Sequence, residues 1–85
     1  MGQSNEGGAG FVHVGFGNFL AVNKMLAIVT PASAPIQRMI REGKRKGMII
    51  DITSGRRTKA AVFTETGNIV LVAITPEALN GRLSN

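Results

Sequence analysis

The sequence contains no cysteine, no tryptophan and no tyrosine, and it contains a single histidine. Without cysteine the chain cannot form disulfides, thiolate metal sites or a cysteine nucleophile. With His13 alone, one chain cannot build a multi-histidine metal site. We therefore expect no metal and no cofactor. A domain of 85 residues is marginally stable by itself. Since neither disulfides nor a metal site can stabilise this one, we expect it to be stabilised by oligomerisation.

Acidic residues are scarce. Five Asp and Glu stand against ten Lys and Arg, which gives a net charge of +5. This balance predicts a polyanionic partner, with nucleic acid first and an acidic membrane surface second. The carboxylates are scattered without the paired spacing of acid–base catalysis, and His13 beside apolar strand positions is more often structural. The sequence therefore predicts no enzyme and no catalytic residue.

Long apolar runs are also absent, because none approaches the roughly 18–20 residues of a membrane span. The first ten residues, MGQSNEGGAG, lack the basic start and apolar centre of a signal peptide. We therefore expect a cytoplasmic protein without a membrane span, and we take nucleic acid, not a membrane, as its partner. The same residues 1–10 are predicted to form a disordered tail, followed by a single folded domain over residues 11–85.

The pattern of apolar residues predicts a small α+β domain in the order ββαβββα, with a mostly antiparallel sheet. Strands are expected at 11–14 and 25–29, followed by an amphipathic helix with Ser33 as its N-cap and Gly47 after its end. Ile36, Met39, Ile40 and Gly43 give this helix one apolar face. Strands at 48–53, 58–64 and 69–74 follow, with a hairpin turn at Gly67 and a short C-terminal helix opened by Pro76.

Eight of the ten basic residues lie between positions 38 and 59, against only two acidic ones. One group, Arg38, Arg41 and Arg45, lies on the outer face of the helix, where solvated surface charge is the simpler interpretation. The other group is the loop Gly55-Arg56-Arg57-Thr58-Lys59. Its forked side chains, free backbone N–H groups and threonine hydroxyl suit phosphate binding.

The four phenylalanines lie away from the arginines in the sequence, among apolar neighbours, and are predicted to be core or interface residues. Stacking platforms for single-stranded nucleic acid need exposed rings beside the cations. Backbone-dominated binding to a duplex is therefore favoured. Gly15 and Gly17 begin a GxG pattern, but Leu20 replaces its third glycine, so we interpret the segment as a turn or a site of close backbone approach.

Short blocks of residues between about Val12 and Leu83 form an ordered series over nearly the whole chain. The blocks are Val14-Gly-Phe-Gly-Asn18, Asn23-Lys24, Ile28-Val-Thr-Pro31, Ser33-Ala-Pro-Ile36, Arg38-Met-Ile40, Met48-Ile-Ile-Asp51, Thr53 with Gly55-Arg-Arg-Thr58, and Thr75-Pro-Glu77. Taken together they resemble the RemA family of bacterial extracellular-matrix regulatory proteins.

The resemblance implies a cytoplasmic, nucleoid-associated DNA-binding regulator of biofilm-matrix genes. It also implies closed homo-oligomeric rings that bind duplex DNA through basic residues repeated around the ring. The Arg-Arg pair of the family's Gly-Arg-Arg-Thr motif falls on Arg56 and Arg57. The basic residue of its Ala-Asn-Arg stretch falls on Lys24, where lysine keeps the charge but loses the bidentate fork. The candidate DNA contacts are Arg56, Arg57, Lys24, Lys59, Thr58 and Arg38.

Two alternatives use the same residues differently. Basic composition alone also fits an RNA-binding protein, which a competition assay between duplex DNA and structured RNA would test. A non-catalytic protein-interaction scaffold, whose charge only keeps it soluble, predicts no salt-sensitive nucleic-acid binding. None of the three functions involves a small-molecule substrate.

Overall fold

A four-stranded mixed sheet forms the centre of the molecule in the computed structural model, which describes residues 10–84. The elements are β1 (Phe11–Gly15), β2 (Asn18–Ala21), a 3₁₀ turn (Val22–Lys24), β3 (Met25–Val29), α1 (Ala34–Arg45), β4 (Ile49–Asp51), β5 (Ala60–Thr64), β6 (Ile69–Val72) and α2 (Pro76–Leu83). The predicted α+β class is confirmed.

The strands of the central sheet lie in the order β3-β5-β6-β4. The β3–β5 and β5–β6 pairs are antiparallel, and the predicted hairpin at Gly67 joins β5 to β6. Strand β4 pairs with β6 in parallel. Strands β1 and β2 form a separate antiparallel hairpin. The sheets are therefore mostly antiparallel, as predicted, with one parallel pair at an edge.

Both faces of the two central strands are covered, because alternate side chains of β5 and β6 point to opposite sides. One set packs with the β1–β2 hairpin and α2, and the other packs against α1. The first core cluster consists of Val12, Val14, Ala60, Val62, Val70, Val72 and Leu79. The second consists of Ala61, Ile69 and Leu71, with Ile40 of α1 among its neighbours. The central sheet thus lies between two layers.

Helix α1 begins and ends where the sequence predicts. The Ser33 hydroxyl oxygen accepts a hydrogen bond from the Ile36 N–H at 3.4 Å, and Gly47 adopts a left-handed φ of 72° just beyond the last turn. Gly43 is buried against Ile49 of β4. Helix α2 begins in the same manner, with the Thr75 hydroxyl oxygen accepting from the Ala78 N–H at 3.1 Å.

Strand β2 is the one strand that the sequence pattern did not predict, so the observed order of strands and α-helices is βββαβββα. It is four residues long and is joined to β1 by a two-residue Phe16-Gly17 turn. Hairpin turns of this length are usually signalled by Asn-Gly or Asp-Gly, and here that signal is missing. The strands predicted at 48–53 and 69–74 are also shorter in the structure.

The tail predicted for residues 1–10 lies outside the described residues except for Gly10. The Gly10 carbonyl accepts a hydrogen bond from the Val22 N–H at 3.0 Å, which extends the pairing of the β1–β2 hairpin by one residue. Between residues 10 and 84, no helix has both the length and the apolar character needed to cross a membrane.

Candidate nucleic-acid interface

The connection between β4 and β5, residues 52–59, carries the two loop arginines, and we call it the arginine loop. Its ends are fixed on consecutive residues of the buried strand β6. The Ile52 N–H donates to the Leu71 carbonyl at 3.1 Å, and the Lys59 N–H donates to the Val72 carbonyl at 2.9 Å. The loop is therefore closed at its base by the central sheet, while Arg56 and Arg57 are exposed.

A tight turn begins the arginine loop. Ser54 and Gly55 have φ angles of 54° and 79°, and the Arg56 N–H donates to the Thr53 carbonyl at 3.0 Å. Two successive positive φ angles with this hydrogen bond are typical of a type I′ turn. Glycine adopts this conformation without steric cost at the second position. The turn points the chain away from β4 and delivers Arg56 to the surface.

Asp51 holds the first residue of this turn in place. Its Oδ1 accepts from the Thr53 hydroxyl at 2.7 Å and from the Thr53 N–H at 2.9 Å. Thr53 is buried, so this carboxylate satisfies a hydroxyl that water cannot reach. The side-chain hydrogen bond from Thr53, followed by the backbone one, holds the pKa of Asp51 below its usual value, and the charge of Lys44 contributes in the same direction.

The β1–β2 turn has two successive positive φ angles at its centre, as the turn in the arginine loop does. Phe16 and Gly17 have φ angles of 56° and 77°, and the flanking Gly15 and Asn18 are paired. A left-handed conformation costs a residue with a side chain about 1–2 kcal/mol. The Asn18 amide donates to the Gly15 carbonyl at 3.1 Å and helps to hold the turn. The Phe16 ring is half-exposed at the tip.

The two turns meet at the surface. The guanidinium carbon of Arg56 lies 5.5 Å from the centre of the Phe16 ring, within the range of a cation–π contact. A hollow next to this pair, the turn hollow, is lined by Gly15, Phe16, Arg56, Arg57, Lys59, Ala73 and Ile74. The expectation that no exposed ring lies beside the cations is therefore wrong for Phe16, because folding brings together residues 40 positions apart.

The exposure of the aromatic side chains also differs from the prediction of a buried core role. Phe11 and Phe19 have 71% and 62% of their surface exposed, and only Phe63 packs in the second core cluster. That they lie at an interface stays a prediction.

A larger hollow of about 720 Å³ lies between α1, the arginine loop and the start of α2, and we call it the α1 hollow. Four basic side chains and one carboxylate line it, together with three threonine hydroxyls over a partly apolar floor. These polar residues are Arg41, Lys44, Arg57, Lys59, Glu77, Thr30, Thr58 and Thr75. The fold therefore places two cations of α1 beside two cations of the arginine loop.

The remaining predicted contacts lie elsewhere. Lys24 lines neither hollow, and its Nζ atom forms an ion pair with the Glu65 carboxylate at 2.9 Å. Arg38 is exposed on α1 and also lines neither hollow. The structure thus groups Arg56, Arg57, Thr58 and Lys59 and leaves these two basic residues apart.

His13 has structural contacts within the β1–β2 hairpin. Its Nε2 accepts from the Gly17 N–H at 3.3 Å, and its ring centre lies 5.0 Å from that of Phe19. Its carbonyl accepts from the Arg82 guanidinium at 2.7 Å, which connects α2 to β1.

Three residues of the site were not predicted as contacts from the sequence: Phe16, Arg41 and Lys44. Helical spacing offered a signal for Lys44, which follows Ile36 and Ile40 at intervals of four and so lies next to the apolar stripe of α1. Arg41 was assigned to the solvated outer face, yet it borders that stripe. No local signal exists for Phe16, because its contact with Arg56 depends on the tertiary fold.

Comparison with known proteins assigns the chain to a family. The model of the family described as "RemA-like: Extracellular matrix regulatory protein A-like" matches residues 11–83. A provisionally named regulatory protein of Dehalococcoides mccartyi strain BAV1 is 58% identical over 73 residues, which cover 86% of this chain and 76% of that protein.

Two further relatives carry the same provisional name. One, from Thermoanaerobacter sp., is 47% identical over 74 residues, covering 87% of this chain and 77% of the relative. Another, from Synechococcus elongatus, is 45% identical over 74 residues, which cover 87% of this chain and 85% of the relative. The predicted resemblance is thereby confirmed, and the chain belongs to the RemA-like family of regulatory proteins.

Proposed function

We propose that this regulator binds duplex DNA and controls transcription, in the manner that its resemblance to RemA implies, with biofilm-matrix genes as its targets. The observation that carries the proposal is the position of Arg56, Arg57 and Lys59 on a loop closed at its base by the central sheet. Phosphate contacts of this kind position a protein on DNA without reading its sequence.

The charges of the arginine loop are available to a ligand. Among residues 10–84, the only ion pairs are Lys24 with Glu65 and Arg45 with Glu42, so no carboxylate there is directly paired with Arg56, Arg57 or Lys59. In the same segment, the N–H groups of Arg57 and Thr58 donate to no protein acceptor. Guanidinium forks next to free backbone donors are a suitable arrangement for phosphate oxygens.

Exposed apolar residues support self-assembly into a ring. Leu26 lies on β3 and Ile50 on β4, the two edge strands of the central sheet, and Phe11 and Phe19 lie on the hairpin. Edge strands with exposed apolar side chains favour pairing with another chain. A ring would bury these residues between copies and repeat the arginine loop at a fixed spacing, which raises affinity through effective concentration.

The decisive experiment combines light scattering with DNA binding over a range of salt concentrations. We expect a homo-oligomer at micromolar concentration, and replacement of both Arg56 and Arg57 by alanine should leave its mass unchanged, since exposed loop substitutions usually cost within roughly 0.5 kcal/mol. DNA affinity should collapse, and the plot of log K against log salt should flatten by roughly 0.9 for each phosphate that is no longer neutralised. Unchanged affinity and slope would place the site elsewhere.

RNA binding is the second candidate, and one observation favours it. Phe16 offers an exposed ring beside a cation, which is an element that RNA-binding and single-strand-binding proteins use for base stacking. Competition between duplex DNA and structured RNA of equal length separates the two functions. A protein-interaction scaffold, the third candidate, requires that neither nucleic acid binds in a salt-sensitive way.

A further inference from the structure

Phe16 occupies a backbone position that phenylalanine disfavours. Its φ of 56° is that of the first central residue in a type I′ turn, where Asn, Asp and Gly are preferred. Burial offsets this cost only in part, because half of the residue's surface stays exposed. An exposed, bulky side chain held in a disfavoured conformation indicates a role outside folding, since backbone strain of this kind concentrates at functional sites.

The surroundings of Phe16 restrict the partner that the ring can meet. Arg56 lies over it, and Arg57 and Lys59 line the same turn hollow. A second copy of the chain docking here through the same surface would bring the same cations close together, and like charges repel. A partner that carries negative charge around a flat apolar surface fits better. Duplex DNA has both features, in its phosphates and its stacked bases.

We propose that Phe16 is a wedge that enters partway between adjacent base pairs and bends the duplex, while Arg56 and Arg57 hold the phosphates on either side. This inference rests on the proposed function. Apolar side chains that partly unstack one base step from the minor groove and kink DNA are an established mode of recognition. The Phe16 ring projects from a turn beside the arginines, so one contact surface holds both the wedge and the phosphate ligands.

A wedge and a stacking platform differ in the number of aromatic rings that contact the bases. Proteins that bind single strands stack successive bases on several aromatic side chains, whereas a kink requires one ring at one step. The other exposed phenylalanines of the described chain, Phe11 and Phe19, do not line the turn hollow. Each subunit therefore offers a single ring. Pyrimidine–purine steps, which unstack most easily, are the expected sites of insertion.

The test uses the full chain and a duplex with a central TA step, in which the adenine is replaced by 2-aminopurine and the ends carry a donor–acceptor dye pair. Insertion unstacks the fluorescent base and brightens it, and bending raises energy transfer between the ends. We expect both signals from the wild type and the loss of most of both with Phe16→Asn. Asparagine suits the type I′ turn, so this variant should melt at a higher temperature than the wild type.

Two further variants separate the wedge from other roles. Phe16→Leu keeps an apolar wedge without a π face and should retain most of the bending. Met39→Ala removes an exposed apolar side chain of α1 that lines neither hollow, and it should leave the 2-aminopurine signal unchanged. In both Phe16 variants, the slope of log K against log salt should stay at its wild-type value, because the phosphate contacts of Arg56 and Arg57 remain.

Several outcomes would overturn the wedge. Unchanged bending with Phe16→Asn would do so, and so would a flattened salt slope without loss of the 2-aminopurine signal, which would make Phe16 a positioning residue for Arg56. Preference for single-stranded DNA would indicate a stacking role instead. If the arginine variants weaken DNA binding but the fluorescent base never brightens, the wedge alone fails. If the wild type binds no duplex at all, the proposed function fails with it.

Discussion

Gly43 of α1 faces Ile49 of β4 so closely that a Cβ atom on the glycine would lie 2.8 Å from the Ile49 Cδ1 atom. Ile49 Cγ1 and Ile69 Cδ1 would follow at 3.3 and 3.4 Å. The glycine therefore sets the distance between the helix and the sheet beneath it. It also determines how near Arg41 and Lys44, on the same helix, come to the arginine loop.

Gly43 and Gly81 both lie in helices, and we expect their replacement by alanine to have opposite effects on the stability of the protein. Gly43→Ala gains about 1 kcal/mol of helix propensity, but overpacking of the core costs about 1–3 kcal/mol, so we expect a net loss of up to about 2 kcal/mol. A methyl group on Gly81 in α2 would meet no neighbouring atom within 4 Å, and Gly81→Ala should stabilise by about 0.4–1 kcal/mol.

Urea unfolding at a fixed protomer concentration measures both changes, because the stability of an oligomer depends on its concentration. A stabilised Gly43→Ala variant would show that Ile49 moves aside freely. The packing of α1 would then not depend on the glycine.

The α1 hollow predicts that one side of α1 takes part in DNA binding and the other does not. Arg41 and Lys44 line the hollow together with Arg57 and Lys59, whereas Arg38 does not. Replacing Arg41 and Lys44 by alanine should weaken DNA binding and flatten the salt slope by up to roughly 1.8, at about 0.9 per phosphate. Arg38→Ala, three residues away on the same helix, is the matched control and should change the slope least. Equal effects of the three alanine substitutions would indicate a diffuse attraction of the basic surface.

The ion pair between Lys24 and Glu65 predicts a variant that binds DNA more tightly. Both side chains are about half-exposed and their atoms lie 2.9 Å apart, so Glu65 competes with any phosphate for the lysine. Glu65→Gln removes that competitor and should raise DNA affinity at low salt. Stability should change by less than about 1 kcal/mol, as is usual for surface pairs. The double variant with Lys24→Ala should lose the gain, and persistence of the gain there would exclude Lys24 as a contact.

Asp51 predicts an acid-sensitive contribution to stability. Its pKa in the folded chain lies below the ordinary 3.8, mainly because Thr53 donates two hydrogen bonds to the carboxylate. A lowered folded pKa means that the contribution is complete above the unfolded pKa and is lost as the pH falls through the folded one. Asp51→Asn should cost about 0.5–1.5 kcal/mol at neutral pH. The difference from wild type should shrink near pH 3 in urea titrations, and a difference independent of pH would contradict this account.

Local signals in the sequence predicted α1, its Ser33 cap and the Gly67 hairpin, because each depends on neighbouring residues. The exposed loop position of Arg56 and Arg57 was predictable for the same reason. The parallel pairing of β4 with β6 has no local signal, since it joins segments about 20 residues apart. The cation–π contact of Arg56 with Phe16 depends in turn on where the β1–β2 hairpin packs. The chemistry of the loop was therefore predictable, and its aromatic neighbour was not.

The arginine loop is hydrogen-bonded at both ends to Leu71 and Val72, the last two residues of β6. The backbone on either side of its arginines is consequently tied to the sheet. In a ring of copies, the distance from one arginine pair to the next would be dictated by the subunit interface, and it would have to match the helical repeat of the DNA that follows the ring. A substitution at that interface, far from any phosphate, would change which stretch of DNA is in phase with the protein.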